Sequence, residues 1–174
     1  MRVTAAGMNE LDAACAVILE CRRTLESRGL QQWDARYPDR SFFQEAIGRG
    51  QLFVLSVEGQ VSGVVVLDER QAPEWASVDW QVQDGAALVI HAFAISPCVQ
   101  GRGHGTALLG FCEDYARTRD YAGIRLDAFS ENAGALRFYE RHGYAYRGEV
   151  RFAFKPEGHQ QYHCYEKSLL PDQG

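Results

Sequence analysis

"VIHAFAISPCVQGRGHGTALL", residues 89–109, joins three signals: an apolar run, a turn holding three glycines, and the start of a helical pattern. "VIHAFAI" is apolar and reads as a strand, while "TALLGFCEDYAR" (106–117) places Leu108, Phe111 or Cys112, and Tyr115 on one helical face. Between them, Gly101, Gly103 and Gly105 alternate with Arg102 and His104. Glycine is entropically costly to order, so this density implies backbone angles or a close approach that other residues refuse. A strand that ends in such a turn and opens a helix gathers backbone N–H groups and the positive end of the helix dipole at one point. That arrangement suits a phosphate or pyrophosphate. The dinucleotide pattern GxGxxG does not fit, because its third glycine falls on Thr106 counted from Gly101 and on Leu108 counted from Gly103. A Walker loop fails as well, since no GK[ST] follows. What stands is Gln100-x-x-Gly103-x-Gly105, with the glycines admitting a ligand to the backbone and Gln100 and Arg102 reaching outward.

Outward from this segment the pattern is continuous, with no repeat or long linker. Leu11, Cys15, Ile18, Arg22 and Leu25 recur at helical spacing, with Asn9 as N-cap and Gly29 beyond the end, which predicts a helix over 10–28. A loop, "LQQWDARYPDR" (30–40), follows, and Ser41 with Gln44 forms a capping box for a short helix stopping at Gly48 or Gly50. "QLFVLSV" and "VSGVVVL" flank Gly59 as an antiparallel hairpin. "WASVDWQV" (75–82) and "ALVIHAFAI" (87–95), separated by Asp84-Gly85, predict a second one. "GIRLDAF" (123–129) is a further strand, Asn132 caps a helix carrying Leu136 and Tyr139, and Gly143 closes it. "YAYRGEVRFAF" and "QYHCYEKSLL" end the chain as two strands joined around Pro156-Glu157-Gly158. The sum is a mixed α/β domain: antiparallel hairpins, a strand-helix-strand crossover, a helix and a closing hairpin.

Length and composition set outer bounds. A chain of 174 residues, 46% hydrophobic, suits one domain with one core, 1–174. No window approaches the ~18 apolar residues of a membrane span, and the N-terminus lacks a signal-peptide run, so the expectation is a soluble cytoplasmic protein with no membrane partner. Five scattered cysteines without a CxxC pair argue against disulfides and zinc. His159 and His163 fall in a turn and a strand start, so no metal site is expected. A net charge of −5 disfavours nucleic acid as a partner and favours a cationic substrate such as an amine.

The quoted segment resembles the acyl-CoA binding segment of the GNAT superfamily of N-acyltransferases: a strand, a nearby Pro, Q/R-x-x-G-x-G/A, then a helix. "SENAGALRFYERHGYAYRG" (130–148) resembles that family's next segment, N-x-x-A-x-x-x-Y-x-x-x-G-[FY], through Asn132, Ala135, Tyr139, Gly143 and Tyr144. The element order over nearly the whole chain is similar too. The resemblance is to a small, single-domain member of bacterial type. It implies an α/β fold with a twisted mixed central sheet flanked by helices and splayed between the fourth and fifth strands. It also implies acetyl-CoA as co-substrate, with no metal.

By that resemblance, the pantetheine arm pairs with the backbone of Phe93, Ala94 and Ile95, in effect adding a strand. The pyrophosphate lies on the turn from Gln100 through Gly101, Arg102, Gly103, His104, Gly105 and Thr106, with Asn132 in the matching second motif. A strand N–H near Ile95 polarises the thioester carbonyl. Tyr139 matches the family's tyrosine acid, which protonates the departing thiolate; as an isolated tyrosine on an apolar helix face it also fits a core role. Three residues compete as base: Asp127, which interrupts an apolar strand five residues before Asn132; His91, suited to neutral pH; and Glu131, acting through water. Trp33, Asp34 and Tyr37 in the first interhelical loop either form an aromatic wall with one carboxylate for a cationic amine or pack that loop onto the sheet. The expected function is therefore acetyl transfer from acetyl-CoA to a primary amine of a small molecule, peptide or protein, by direct attack in a ternary complex, in a protein that forms homodimers in many relatives. A non-catalytic acyl-CoA sensing module and an aminoacyl-tRNA acetylating toxin are the alternatives, the latter disfavoured by the charge.

Overall fold

The computed structural model describes residues 1–83 and 85–170. It begins with a strand that the sequence pattern does not reveal, β1 (Arg2–Ala5), paired antiparallel with β2 (Leu52–Val57) from Arg2↔Ser56 to Ala5↔Phe53. The predicted hairpin is present: β2 pairs antiparallel with β3 (Gln60–Asp68). Glu58 (φ 52°) and Gly59 (φ 82°) make its turn, two consecutive left-handed residues whose twist matches the strands they join. The full strand order is β1-β2-β3-β4-β5-β7-β6, with β4 (Ala87–Ile95), β5 (Gly123–Phe129), β6 (Ala145–Arg151) and β7 (Gln161–Ser168), so that β1 and β6 are the outermost strands. β4 and β5 are parallel, the crossover expected around the helix that follows the glycine turn. The chain divides into two compact units, Met1–Asp68 with Ile90–Cys112, and Glu69–Val89 with the chain from Glu113 onward.

In the first unit, α1 (Leu11–Glu26) turns Leu11, Ala14, Val17, Ile18 and Cys21 into a core shared with Phe43 and Ala46 of α2 (Arg40–Gly48), Val54 of β2, Val64 and Val66 of β3, and Ala92 and Ala94 of β4. Asn9 is not the cap. It lies inside a single tight turn, Met8–Glu10, because the Glu10 carboxylate reaches back to accept the Gly7 N–H at 2.9 Å and starts the turn two residues earlier. Ser41 is likewise one residue inside its helix, since the Asp39 carboxylate accepts the Phe42 N–H at 2.8 Å and takes the capping role.

In the second unit, β5 pairs antiparallel with β7 from Gly123↔Ser168 to Phe129↔Tyr162, and β6 with β7. α4 (Ala133–Arg141) is capped by Asn132, whose Oδ1 accepts the Ala135 N–H at 3.1 Å, and is closed by Gly143 at φ 82°. The predicted strand over 75–82 does not form. Pro73–Ser77 is a short tight turn instead, and the N–H groups of Gln81 and Val82 are satisfied by the Glu166 carboxylate at 2.8 and 3.2 Å rather than by a ladder. Asp84, half of the expected turn dipeptide, lies outside the described residues. One strand missed and one overpredicted cancel, so the expected fourth and fifth strands are still β4 and β5.

The cysteines are all free. Cys21, Cys112 and Cys164 are buried, Cys15 half-buried and Cys98 exposed. Burial pushes the thiols of Cys21 and Cys164 up to about 12 and that of Cys15 upward. With a chromogenic disulfide reagent, the folded chain is expected to release one equivalent, from Cys98, at least about tenfold faster than any other, because the thiolate is the reacting species. Denaturant makes all five react, and Cys98→Ser removes the fast phase.

Candidate active site

The β4–β5 ladder runs from Ala87↔Gly123 to Val89↔Arg125 and, among the described residues, ends there, although β5 continues its pairing with β7 to Phe129. Three residues on, Ala92 takes φ +50° in mid-strand, a left-handed angle that costs an L-residue about 1–2 kcal/mol. Strain of this kind persists where surrounding structure imposes it, and it is concentrated at functional sites.

Phe93, Ala94 and Ile95 follow, and the strand end is tied firmly within the first unit. The Ser96 N–H donates to Ser62 O at 2.7 Å, its hydroxyl donates to Glu20 Oε2 at 2.7 Å, and Cys21 Sγ lies 3.2 Å from Ile95 O. Gln100 is turned back, not outward: its Nε2 donates to Ile95 O at 2.8 Å, so its side chain braces the turn. Arg102 remains exposed. Gly101 (φ 76°) and Gly103 (φ 82°) occupy left-handed backbone, and a Cβ built on either meets no atom of the described residues within 4 Å. The requirement for glycine there is conformational, and the turn's surface is open. α3 (His104–Arg117) starts at once, with the Ala107 N–H donating to Gly103 O at 3.0 Å. Gly105 and Thr106 lie in its first turn, at the positive end of the helix dipole. His104 approaches Met1 Sδ with Nδ1 at 3.3 Å.

The three candidate bases differ in surroundings. His91 places Nε2 2.7 Å from Oδ1 of Asp68, whose side chain is buried. Asp127 is half-buried on β5 and accepts a hydrogen bond from Trp75 Nε1 at 3.0 Å. Glu131 is exposed beside the cap of α4. Tyr139 is 7% exposed, with ring centres of Phe138, Tyr144 and Tyr165 at 5.3, 5.8 and 6.3 Å. Asn132 sits on the same helix as its cap, so its motif position serves the helix directly.

The first interhelical loop is packed. Trp33 lies against the core of the first unit and Tyr37 meets Phe42 edge-on at 5.0 Å. The Asp34 carboxylate is gripped by Arg36, through its N–H at 2.7 Å and its guanidinium at 2.7 and 3.1 Å, which lowers its pKa and neutralises the charge an ammonium group would seek. Of the two roles open to this loop, packing matches these contacts.

Four residues near the candidates carry no motif: Asp68 behind His91, Trp75 on Asp127, and the pair Arg125 and Glu166. Arg125 is fully buried on β5, two residues from Asp127, with Nε 3.0 Å from Glu166 Oε2. A cation alternating with Ile124, Leu126 and Ala128 in "GIRLDAF" is the one sequence signal that marks it.

The comparisons agree with this architecture. The pattern of the acetyltransferase (GNAT) family matches residues 17–144. YesJ of Bacillus subtilis (strain 168), named as an uncharacterized N-acetyltransferase, is 26% identical over 168 residues, 94% of this chain and 87% of its own length. A GNAT-family acetyltransferase from Streptococcus agalactiae 2603 has the same fold, with TM-score 0.82 at 21% identity, covering 98% of this chain and 96% of the other. The ribosomal-protein-S18-alanine N-acetyltransferase of Escherichia coli superposes with TM-score 0.70 at 16% identity, over 99% and 97% of the two chains. The family match over residues 17–144 and the relatives named as N-acetyltransferases give the class, an acyltransferase. The chain belongs to the acetyltransferase (GNAT) family.

Proposed function

We propose that this chain is a single-domain, cytoplasmic N-acetyltransferase that moves the acetyl group of acetyl-CoA to a primary amine by direct attack in a ternary complex. The observation that carries it is the turn at 100–106: two glycines in left-handed backbone, open on their Cβ side, feeding straight into the N-terminus of α3. Such a turn offers N–H groups and dipole to a pyrophosphate without spending a side chain.

Acetyl-CoA is the co-substrate and supplies the acetyl thioester. Gly101 to Thr106 bind its pyrophosphate through the backbone, and Phe93 to Ile95 pair with the pantetheine amides. A strand N–H near Ile95, as donor, polarises the thioester oxygen, while the Ile95 carbonyl accepts from Gln100 and Cys21 and so fixes the strand end. The amine nitrogen attacks the carbonyl carbon, and the carbon–sulfur bond breaks. Asp127 accepts the ammonium proton, and the Tyr139 hydroxyl delivers a proton to the CoA thiolate. His91 is held by Asp68 and is assigned to support of β4. The fold neighbours from Escherichia coli and Brucella melitensis are ribosomal-protein-alanine N-acetyltransferases, and at 16% identity they share architecture only; the acceptor here is a small amine or a polypeptide amino group.

Titration calorimetry with acetyl-CoA, CoA and NADH tests this without knowledge of the acceptor. Micromolar binding of the first two and none of NADH is expected. Gly103→Val should weaken acetyl-CoA binding at least about tenfold, since a branched residue in left-handed backbone costs about 1–2 kcal/mol, while Gly103→Asn, which tolerates that angle, loses less. No binding by the parent chain overturns the assignment.

A further inference from the structure

The segment between β3 and β4 folds over itself into a cleft of about 560 Å³ within the second unit, lined among others by Gln71, Trp75, Ala76, Asp79, Trp80 and Val82. It is not a slack loop. Arg125 Nη1 donates to Gln71 Oε1 at 2.8 Å and Nη2 to Val82 O, while Glu166 accepts the N–H groups of Gln81 and Val82. Val82 packs so closely on Gly123 that a Cβ there would lie 2.6 Å from Val82 Cγ2 and 2.8 Å from Lys167 O. The two indoles are tilted against each other at 5.0 Å, and Trp80 Nε1 donates to Trp75 O at 3.1 Å. Two fully buried ions therefore hold the walls of an open cleft, an expensive arrangement whose attested use is to fix one geometry, since buried ion pairs add little net stability.

Trp75 connects this cleft to the chemistry. It is among the cleft's lining residues although only 3% exposed, and its N–H reaches Asp127 Oδ2 behind it, which is not itself part of the lining. Charge indicates where an ammonium group goes. The Arg125 guanidinium lies 4.5 Å from the Trp80 ring centre, so a second cation over that indole meets a like charge. Asp127, and Asp79 among the lining residues, are the anionic destinations, and Trp80, Ala76 and Val78 are left to contact apolar surface.

We propose that this cleft receives the acceptor: a primary amine with an aromatic or branched apolar body, seated on Trp80, Ala76 and Val78 beside the buried edge of Trp75, with its nitrogen directed to the Asp127 carboxylate that the Trp75 N–H holds. Trp75 is then a positioning residue, fixing the carboxylate through its N–H. The inference rests on the acetyltransferase assignment above for its chemistry, and on the cleft alone for binding.

Phenethylamine and methylamine are the probes. Calorimetry on the full chain should show phenethylamine bound with a negative heat-capacity change and methylamine at least about tenfold weaker, because only the former buries apolar surface. Ala76→Phe, at an exposed position, fills the cleft and should cost phenethylamine at least about tenfold in affinity. Equal affinity for the two probes, or for phenethylamine in parent and variant, overturns the proposal. In thiol-release kinetics, Ala76→Phe should raise KM for phenethylamine and leave KM for acetyl-CoA unchanged. Trp75→Phe removes a hydrogen bond to the charged carboxylate, so the acidic limb of kcat/KM should move to higher pH; an unmoved limb removes Trp75 from its positioning role. Phenethylamine bound in the cleft but never acetylated, with no other amine acetylated, defeats the acetyltransferase assignment and leaves the cleft standing. Transfer that proceeds with the amine KM unmoved by Ala76→Phe does the reverse.

Discussion

Tyr139→Phe is expected to lower turnover by about a hundredfold, within the range that a positioned general acid contributes, while acetyl-CoA affinity stays within about twofold. The substitution keeps the ring, which makes the packing contacts with Phe138, Tyr144 and Tyr165. Steady-state kinetics against calorimetric affinity checks it, and a thermal melt within about 2 °C of the parent shows that the core is intact. Unchanged turnover with an intact core assigns Tyr139 to packing alone and moves the proton to the thiolate by another route. Asp127→Asn complements it: turnover should fall and recover in part as pH rises and more of the amine is already neutral.

The largest effect on stability is expected at Arg125. Arg125→Met takes from Glu166, 1% exposed, its fully buried partner, leaving Arg147 Nε at 3.5 Å and the Gln81 and Val82 N–H groups on the charge, and removes the donors to Gln71 and Val82. Losses of about 3–5 kcal/mol are typical when one partner of a buried pair is deleted. Denaturant unfolding would read this as a lower midpoint at similar slope. Adding Glu166→Gln should restore more than half of the loss. Gln keeps an oxygen for the Gln81 and Val82 N–H groups while removing the charge, and coupling between such neighbours is strongly non-additive. A double variant no better than the single one would locate the cost in lost packing under Trp80 instead.

The parts of the fold legible in the sequence are those with local physical signatures. Gly59 and Gly143 need left-handed backbone, Asn132 caps α4 through its own side chain, and β5 was delimited to the residue because Gly123 and Phe129 bound an apolar run. Caps are ambiguous in sequence where two polar residues compete within one turn, Asn9 against Glu10 and Asp39 against Ser41, and the hydrogen bonds of the folded turn decide between them. β1 was hidden because four residues carry too little periodicity, and its existence depends on β2 being there to pair with. The false strand at 75–82 has the opposite origin: tryptophan and valine favour strands as side chains, but here a carboxylate from β7, 84 or more residues away in sequence, takes the backbone donors. The glycine turn and the helix it opens are legible from the spacing of Gly101, Gly103 and Gly105; the inward turn of Gln100 is not, since glutamine's rotamers leave both directions open.

The two outermost strands bear on how the protein meets copies of itself. β1 offers only four residues, and β6 carries Arg147, Glu149 and Arg151 together with an irregularity between Tyr146 and Gly148. Short, charged or bulged borders are poor templates for another molecule's strand. Concentrated solutions should therefore resist the strand-by-strand annealing that begins fibres, and any homodimer has to be cemented by side chains, leaving each subunit's hydrogen-bonded sheet its own.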